Sequence, residues 1–143
     1  MRTIMFSEVI SYQASNQGSA QGLYNITQQI NDVVKHSNIE NGMCNLFVLH
    51  TSCSLCIQEN HDPNARHDLE EWMIRTIPFT DWFKHVEEGE DDMPSHIKSA
   101  ITNVCLTIPV IDGKLAMGQW QGIYLWEHRN NPNARKIRVT LWS

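Results

Sequence analysis

A chain of 143 residues, 41% hydrophobic and 19% charged, is long enough for one compact domain with an apolar core, and we predict a single domain over residues 1–143. The 11 basic and 16 acidic residues give a formal net charge of −5, which argues against a broad nucleic-acid-binding face. No apolar run approaches membrane-spanning length, and the first residues lack the pattern of a signal peptide. We therefore expect a cytoplasmic protein with neither nucleic acid nor membrane as a partner.

The first third of the chain predicts two strands and a helix. Residues 2–12 have the apolar spacing of a first strand, and residues 15–22, rich in Ser, Gln, Asn and Gly, predict a loop. From Leu23 onward, apolar residues recur at helical spacing, which predicts a helix ending near residues 36–38. The run 43–49 is apolar on both parities, as expected of an interior strand.

The middle of the chain predicts two further helices. Asp62 before Pro63 has the residue types of an N-cap and first helical position. Glu71 and Arg75, four residues apart, predict a weak surface ion pair on that helix. The buried stripe is expected to consist of Leu69, Trp72, Met73 and Ile77, and a second, shorter helix is expected to turn Ile97, Ala100 and Ile101 inward.

The last third predicts antiparallel strands. Residues 104–111 form a strand pattern, and Asp112 with Gly113 has the composition of a hairpin turn. A further strand precedes residue 127. The final strand alternates cleanly, with Ile137, Val139 and Leu141 pointing inward.

The four cysteines are too few, and lie too deep in apolar runs, to form a secreted disulfide framework. Cys53 and Cys56 form a C-x-x-C pattern, which invites a redox or zinc interpretation. An odd separation in a strand places the two thiols on opposite faces, however. We therefore predict that both are small core residues.

The most distinctive stretch runs from His85 to His96 and places two imidazoles at the ends of a loop with five carboxylates. A run of like charge is often a solvated surface loop. Imidazole and carboxylate are also the main protein ligands of divalent cations. Because Asp92 is expected near a helix N-terminus and His96 in its first turn, His85, Asp92 and His96 could meet at one point.

Two further residues are candidates because of where their strands place them. His50 follows a buried strand, whose backbone would hold its ring toward a cleft; a purely structural, hydrogen-bonded histidine is the alternative. Glu127 is in phase with Ile123 and Leu125 and would point inward. It is therefore either a buried partner of a cation or an exposed strand end.

Several motifs follow one another in an order that is typical of one family. Their segments are residues 50–55, 59–63, 85–99, 118–123 and 127–129. The chain resembles the YjbQ-like family, whose members are described as secondary thiamine-phosphate synthases, from about residue 4 to the end. The family patterns are H-T-[TS]-A-S, E-N-x-D-P, H-x-x-E-G-x-D-D-M-x-x-H-I-K-S and G-T-W-Q. This chain departs from them at Cys53, where Ala is usual, and at Gln119, where Thr is usual.

The resemblance implies an α+β fold with an antiparallel, sandwich-like β core and a few helices outside, assembled as a homotrimer with sites near the subunit boundaries. It also implies a pocket that holds a divalent metal, with Zn²⁺ expected and Mg²⁺ as the other option. The metal ligands would be His50, His85 and His96, and the catalytic carboxylates Asp92 and Glu127. The expected substrate-binding residues are Thr51, Ser52, Asn60, Lys98, Trp120, Gln121 and Arg129.

The implied reaction joins hydroxymethylpyrimidine diphosphate to thiazole phosphate and expels pyrophosphate. Such a reaction depends on positioning and on neutralising the diphosphate, for which Lys98, Arg129 and Arg135 are candidate cations. Three imidazoles suit Zn²⁺, whereas diphosphates are usually bound with Mg²⁺. Two alternatives stay open: a hydrolase that uses a His-bound zinc water with Asp92 or Glu127 as general base, and a non-catalytic metal- or metabolite-binding trimer.

Overall fold

Two antiparallel sheets face each other with helices packed around them in the computed structural model, which describes residues 3–143. The five-stranded sheet has the order β1-β8-β3-β5-β6, and the three-stranded sheet has the order β2-β7-β4. The α+β architecture with an antiparallel, sandwich-like core is confirmed. The elements are β1 (Met5–Tyr12), β2 (Gly22–Asn25), α1 (Thr27–Ser37), β3 (Gly42–Val48), β4 (Cys53–Glu59), α2 (Pro63–Thr76), α3 (Asp92–Ile101), β5 (Cys105–Ile111), β6 (Lys114–Leu115), β7 (Gln121–Glu127) and β8 (Arg135–Trp142).

The main core lies between the two sheets, and α1 closes one side of it. The predicted inward residues of β8, namely Ile137, Val139 and Leu141, are fully buried, while Lys136 and Arg138 between them are exposed. This alternation is confirmed because only one face of the large sheet meets the core. The predicted hairpin turn at residues 112–113 is also present, with positive φ at both positions.

The small sheet is covered on both faces, which explains why β7 is buried from residue 122 to residue 127. One face contributes Ile123 and Leu125 to the main core. The other contributes Tyr124 and Trp126 to a second apolar cluster, where they pack against Met73 of α2. A strand buried on both sides therefore has its end, and the residues that follow it, held firmly between layers.

The predicted start of the first helix at Leu23 is wrong. Leu23 lies in β2, where it pairs with Trp126, and α1 begins only at Thr27. The side chain of Glu70 accepts a hydrogen bond of 2.8 Å from Leu23 N at the free edge of this strand. Pairing with β7 and this long-range carboxylate satisfy the backbone of residues 22–25 outside a helix, and neither partner is visible in the local periodicity.

The second helix begins as predicted, and its predicted buried stripe is confirmed except at Trp72. The Asp62 side chain caps α2 by accepting from Asn64 N at 2.9 Å, and the Arg75–Glu71 pair forms at 2.9 Å. Met73 is buried in the second apolar cluster, and Leu69 and Ile77 pack against it, whereas Trp72 is 54% exposed. The helix rests on the second apolar cluster alone, which is too small to cover the full stripe.

The third helix is buried on its polar side, contrary to the prediction that Ile97, Ala100 and Ile101 face inward. Ala100 and Ile101 are exposed, and Ile101 keeps 59% of its surface. Hydrogen bonds explain the inversion, because Ser99 Oγ donates to the Cys53 carbonyl at 3.1 Å and thereby ties the helix to β4. The buried residues are Asp92, Pro94, Ser95, Lys98 and Ser99.

The four cysteines are free thiols, and the two of the C-x-x-C pair occupy packed positions, as predicted. Cys53 belongs to the main core, whereas Cys56 packs against the second cluster on the opposite face of the small sheet. Burial raises the pKa of the Cys53 thiol to about 12, which makes it a poor nucleophile and metal ligand.

None of the helices within residues 3–143 combines the length and apolar content that crossing a bilayer requires.

Candidate metal centre

Four side chains converge where the acidic loop enters α3. One potential ligand atom from each of His85, Glu88, Asp92 and His96 lies within 4.8 Å of the other three. Asp92 and His96 share one face of the helix because they are four residues apart, and the loop folds His85 and Glu88 back over its first turn. The predicted meeting of His85, Asp92 and His96 is therefore present in the fold.

Asp92 is the buried hub of this group, with 2% of its surface exposed. Its Oδ2 accepts a hydrogen bond of 2.7 Å from His85 Nε2 and lies 3.2 Å from His96 Nε2, while its Oδ1 accepts from Arg129 Nη1 at 2.6 Å. Burial raises the pKa of Asp92, but hydrogen bonding to Glu88 and His85 and the nearby charge of Arg129 outweigh it. The pKa lies below its ordinary value, and the group is a carboxylate at neutral pH.

The tautomer of His96 is fixed from outside the group. His96 Nδ1 donates to the Thr51 backbone carbonyl at 2.9 Å, since a carbonyl oxygen can only accept. In a neutral His96 ring, Nε2 would then turn its lone pair toward the Asp92 carboxylate at 3.2 Å. Two acceptors this close need a positive charge between them, either a proton or a metal ion. A backbone carbonyl that orients the outer nitrogen is typical of metal-binding histidines, so these residues fit a divalent cation.

Arg129 holds the acidic loop against α3. Its Nε donates to Asp91 Oδ2 at 2.9 Å, its Nη1 to Asp92, and its Nη2 to the Glu88 carbonyl at 2.9 Å. The pKa of Asp91 is lowered, because these bonds and one from Asn130 N outweigh the opposing effect of burial. Three of its five N–H groups are thus committed to the protein, which favours a positioning role over the predicted substrate contact.

His50 lies outside the four-residue group. Its Nε2 accepts a hydrogen bond of 2.8 Å from Lys136 N, and burial together with the charge of Arg135 lowers its pKa. Within one chain the ring is therefore bonded as in the structural alternative. His50 nevertheless lies beside the centre, because it lines the same cavity as Thr51 and His96.

That cavity measures about 430 Å³ and combines an apolar wall with hydroxyl groups. The Thr51 carbonyl orients His96 at one end, and the neighbouring Ser52 carbonyl is occupied by a bond of 3.1 Å from Arg135 Nη2. The imidazoles thus border a space large enough for a ring-sized organic group. Its remaining lining consists of Phe47, Val48, Ser99, Ala100, Thr102 and Val104.

Glu127 forms a buried ion pair with Arg135. Its Oε1 accepts from Arg135 Nε at 2.7 Å, and its Oε2 accepts from Arg135 Nη2 and, at 3.1 Å each, from the backbone N–H of His128 and Arg129. Glu127 is fully buried and Arg135 is 6% exposed. Of the two interpretations open from the sequence, the buried partner of a cation is the one observed. Both carboxylate oxygens of Glu127 bind Arg135 and not the four-residue group.

Lys98 faces away from His96. The two residues are two positions apart, which is roughly 200° around a helix. Lys98 Nζ donates to Gln21 Oε1 at 2.9 Å, and burial lowers its pKa against the opposing charge of Asp91. Lys98 therefore lines a different cavity from the one beside the candidate metal centre.

Three predicted substrate-binding residues lie at the far end of the small sheet. Residue 53 pairs with Glu127 near the centre, whereas residue 59 pairs with Gln121 at the opposite end, about 20 Å away for six residue steps. There Trp120 packs on the His61 ring with centroids 4.3 Å apart, and Asn60 N donates to the Trp120 carbonyl at 2.7 Å. One chain therefore does not bring these residues to the His85–His96 group.

Glu88 is the member of the group that the sequence analysis did not single out. The available signal was its spacing, three residues after His85 and four before Asp92. Spacing in a loop has no fixed direction, however, and three other carboxylates in the same run, those of Glu87, Glu90 and Asp91, offered similar distances along the chain.

The comparisons with known proteins identify the family. A family model described as UPF0047 protein YjbQ-like matches residues 12–143. The chain belongs to the YjbQ/UPF0047 family. A UPF0047 protein of Synechocystis is 44% identical over 83% of this chain and 82% of its own length, and the UPF0047 protein YjbQ of Salmonella typhimurium is 45% identical over 85% and 88%.

Solved structures with the YjbQ-like fold agree with the architecture. A YjbQ/UPF0047 protein of Clostridium acetobutylicum has a TM-score of 0.83 at 30% identity, covering 94% of this chain and 98% of its own. A Sulfolobus solfataricus protein described as being of unknown function has a TM-score of 0.87 over 99% of both chains. At 24% identity this second likeness bears on the fold alone.

Proposed function

We propose that this YjbQ-family chain is a metal-dependent enzyme acting on a small phosphorylated substrate, and that its first candidate reaction is thiamine-phosphate synthesis. The observation that carries the metal-dependent part is the convergence of two imidazoles and two carboxylates within 4.8 Å, one imidazole being oriented by the Thr51 carbonyl. The resemblance of the sequence motifs supplies the choice of reaction.

The donor set favours a transition metal that accepts oxygen as well as nitrogen. His85 and His96 would supply nitrogen, and Glu88 and Asp92 oxygen, a combination that suits Zn²⁺ and similar ions better than Mg²⁺. When bound, such an ion would neutralise negative charge on a leaving diphosphate. The protein offers little else for this task, because Arg129 is committed to carboxylates of the loop.

The organic part of the substrate would lie in the cavity beside the centre. Phe47, Val48 and Val104 provide an apolar surface for a flat ring, and Thr102 and Ser99 provide hydroxyl groups at its border. The phosphorylated end would then reach toward His96.

A homotrimer would explain why the predicted substrate residues are divided between two ends of the chain. Asn60, Trp120 and Gln121 can join a centre at the other end only if a neighbouring copy supplies them. The surface around His50 suits such a contact, because Phe47 is 46%, Leu49 44% and Ile101 59% exposed. We propose that these apolar residues are covered by the next subunit of the trimer.

Hydrolysis is the second candidate because the group contains an exposed carboxylate. Glu88 lies on the surface beside His85, with His85 Nε2 3.3 Å from its Oε2. In this alternative His85, Asp92 and His96 would hold the metal, and Glu88 would stay free to accept a proton from an attacking water, whereas Glu127 is enclosed by Arg135 and backbone N–H groups. A water nucleophile would enter from the open side of the loop.

The metal is tested first by elemental analysis of the dialysed protein and by calorimetric titration with Zn²⁺. We expect one ion per chain and at least a tenfold loss of affinity in His85→Ala and His96→Ala. His61→Ala, at the other end of the sheet, is the matched control. An affinity that depends on His50 but not on His85 would show that the four-residue group is not the metal site.

The reaction is tested by complementation of a thiamine-requiring strain and by assay of the purified protein with hydroxymethylpyrimidine diphosphate and thiazole phosphate. We expect complementation by the parent and its loss in His85→Ala and Asp92→Ala. Metal-dependent turnover of phosphoesters without complementation would favour the hydrolase. Metal binding with neither activity would leave the non-catalytic trimer.

A further inference from the structure

A second cavity lies on the opposite side of α3 from the candidate metal centre. It measures about 280 Å³ and is open to the surface. Lys98 and its hydrogen-bond partner Gln21 form its polar wall together with Asn130. The apolar wall is formed by Ile74, Ile77, Pro78, Phe79 and Pro94.

Lys98 brings a buried amino group to this cavity without a counter-ion. Only 3% of its surface is exposed, and its one hydrogen bond goes to the neutral Gln21 oxygen. Within residues 3–143 no carboxylate oxygen lies within 4.0 Å of its Nζ. Buried charges in proteins are normally paired, so an ammonium group in this position would be stabilised by a bound anion.

The neighbouring carboxylate of Asp91 does not pair with Lys98. Asp91 Oδ2 accepts from Arg129 Nε and from Asn130 N, each at 2.9 Å, so its direct cationic partner is Arg129, which it shares with Asp92, and not Lys98. Glu90 lies exposed at the rim. The Lys98 amino group at the buried end of the wall is therefore in direct contact with no carboxylate of the described residues.

The neighbouring amide supplies a second donor. Asn130 Oδ1 accepts from Ser19 Oγ at 2.7 Å and from Gln21 Nε2 at 2.8 Å, which fixes the orientation of the amide. Its Nδ2 donates to no residue in the described part of the chain. Lys98 and Asn130 thus both offer N–H groups to an occupant of the cavity.

We infer that this cavity binds a small organic anion, a carboxylate or a phosphate ester, whose charged oxygens accept hydrogen bonds from Lys98 Nζ and Asn130 Nδ2. The apolar body of the ligand would pack against Ile77 and Phe79. An anion with an apolar part is favoured over an inorganic ion because one wall supplies charge and the other supplies only hydrocarbon and an aromatic ring.

This site is separate from the proposed metal centre but connected to it. Gln21 and Asn130 link Lys98 to Asp91, and Arg129 joins Asp91 to Asp92. Because the two cavities have no lining residue in common, binding of an anion can be measured without any activity of the metal centre.

The test uses calorimetric titration of the metal-free full chain with acetate, butyrate and inorganic phosphate in a chloride-free buffer. We expect saturable binding, with butyrate at least threefold tighter than acetate because of the apolar wall. Lys98→Met, which keeps the length and packing of the side chain, should lower affinity at least tenfold. Lys84→Met, a replacement at an exposed lysine, is the matched control and should bind as the parent does.

Further variants separate this site from a structural lysine and from the metal centre. Phe79→Ala should weaken butyrate more than acetate. His96→Ala should leave anion binding unchanged, and Lys98→Met should unfold at the same or a higher temperature because it removes an unpaired buried charge. The inference is overturned if the parent shows no saturable binding, if Lys98→Met binds as well as the parent, or if His96→Ala abolishes binding.

Discussion

Replacing Glu127 by Gln tests whether this buried carboxylate is structural or catalytic. Gln has nearly the same shape and can still accept from the N–H groups of His128 and Arg129, but it no longer carries the charge that Arg135 needs. Arg135 Nε and Nη2 both donate to Glu127, and the pair is enclosed, with Glu127 fully buried and Arg135 6% exposed. The substitution therefore leaves a guanidinium group buried without its counter-ion.

The expected loss of stability follows from the burial of the pair. Removing one partner of a buried ion pair costs about 3–5 kcal/mol. At about 3 °C per kcal/mol for a chain of this size, the midpoint of thermal unfolding should fall by roughly 10–15 °C. A double variant that also changes Arg135→Met should recover part of this loss, because the uncompensated charge is then gone.

Urea and thermal unfolding at pH 7 measure these differences. Glu71→Gln is the control, since the Glu71–Arg75 pair also joins a carboxylate to a guanidinium but through a single bond on the exposed side of α2, where an ion pair contributes about 0–1 kcal/mol. If Glu127→Gln unfolds within about 1 kcal/mol of the parent and yet loses activity, the structural assignment is wrong. The catalytic role predicted from the sequence would then stand.

Two further predictions rest on burial. Burial lowers the pKa of His128 to about 3; because the unfolded histidine takes up a proton near pH 6.5, stability should fall by a few kcal/mol as the pH drops from about 6.5 to about 3. His128→Gln should flatten this slope in pH-dependent urea unfolding, with exposed His67→Gln as control, and an unchanged slope would contradict the assignment. Exposed Cys105 should be alkylated first in the native protein, whereas Cys44, whose pKa burial raises to about 12, should react only on unfolding; simultaneous modification, read by mass spectrometry, would refute this.

The local sequence pattern predicted the structure correctly where neighbouring residues alone, or a single buried face, decide the outcome. The alternation of β8 is confirmed because one face of the large sheet covers the core. The cap of α2 at Asp62 is confirmed because capping depends on neighbouring residues only. The spacing of Asp92 and His96 similarly placed both on one face of α3.

Local pattern failed where a distant partner decided the outcome. The polar face of α3 is inside because Ser99 bonds to the Cys53 carbonyl and Asp92 to Arg129, contacts that join segments far apart in the chain. Lys98 was predicted in the same pocket as His96, but the direction of the helix turns it toward Gln21. The periodicity of a sequence shows which residues are apolar, but it does not show which groups form hydrogen bonds with the polar residues.

The sequence by itself determined the family and the antiparallel α+β core through its motifs, and the four-residue spacing of Asp92 and His96 placed both on one face of α3. Only the tertiary structure decided that Glu88 completes the group, that Glu127 is tied to Arg135, and that Lys98 is buried on another side. The physical reason is that the role of a buried charged side chain depends on the group that pairs with it. Each of these partners is brought close only by folding of the whole chain.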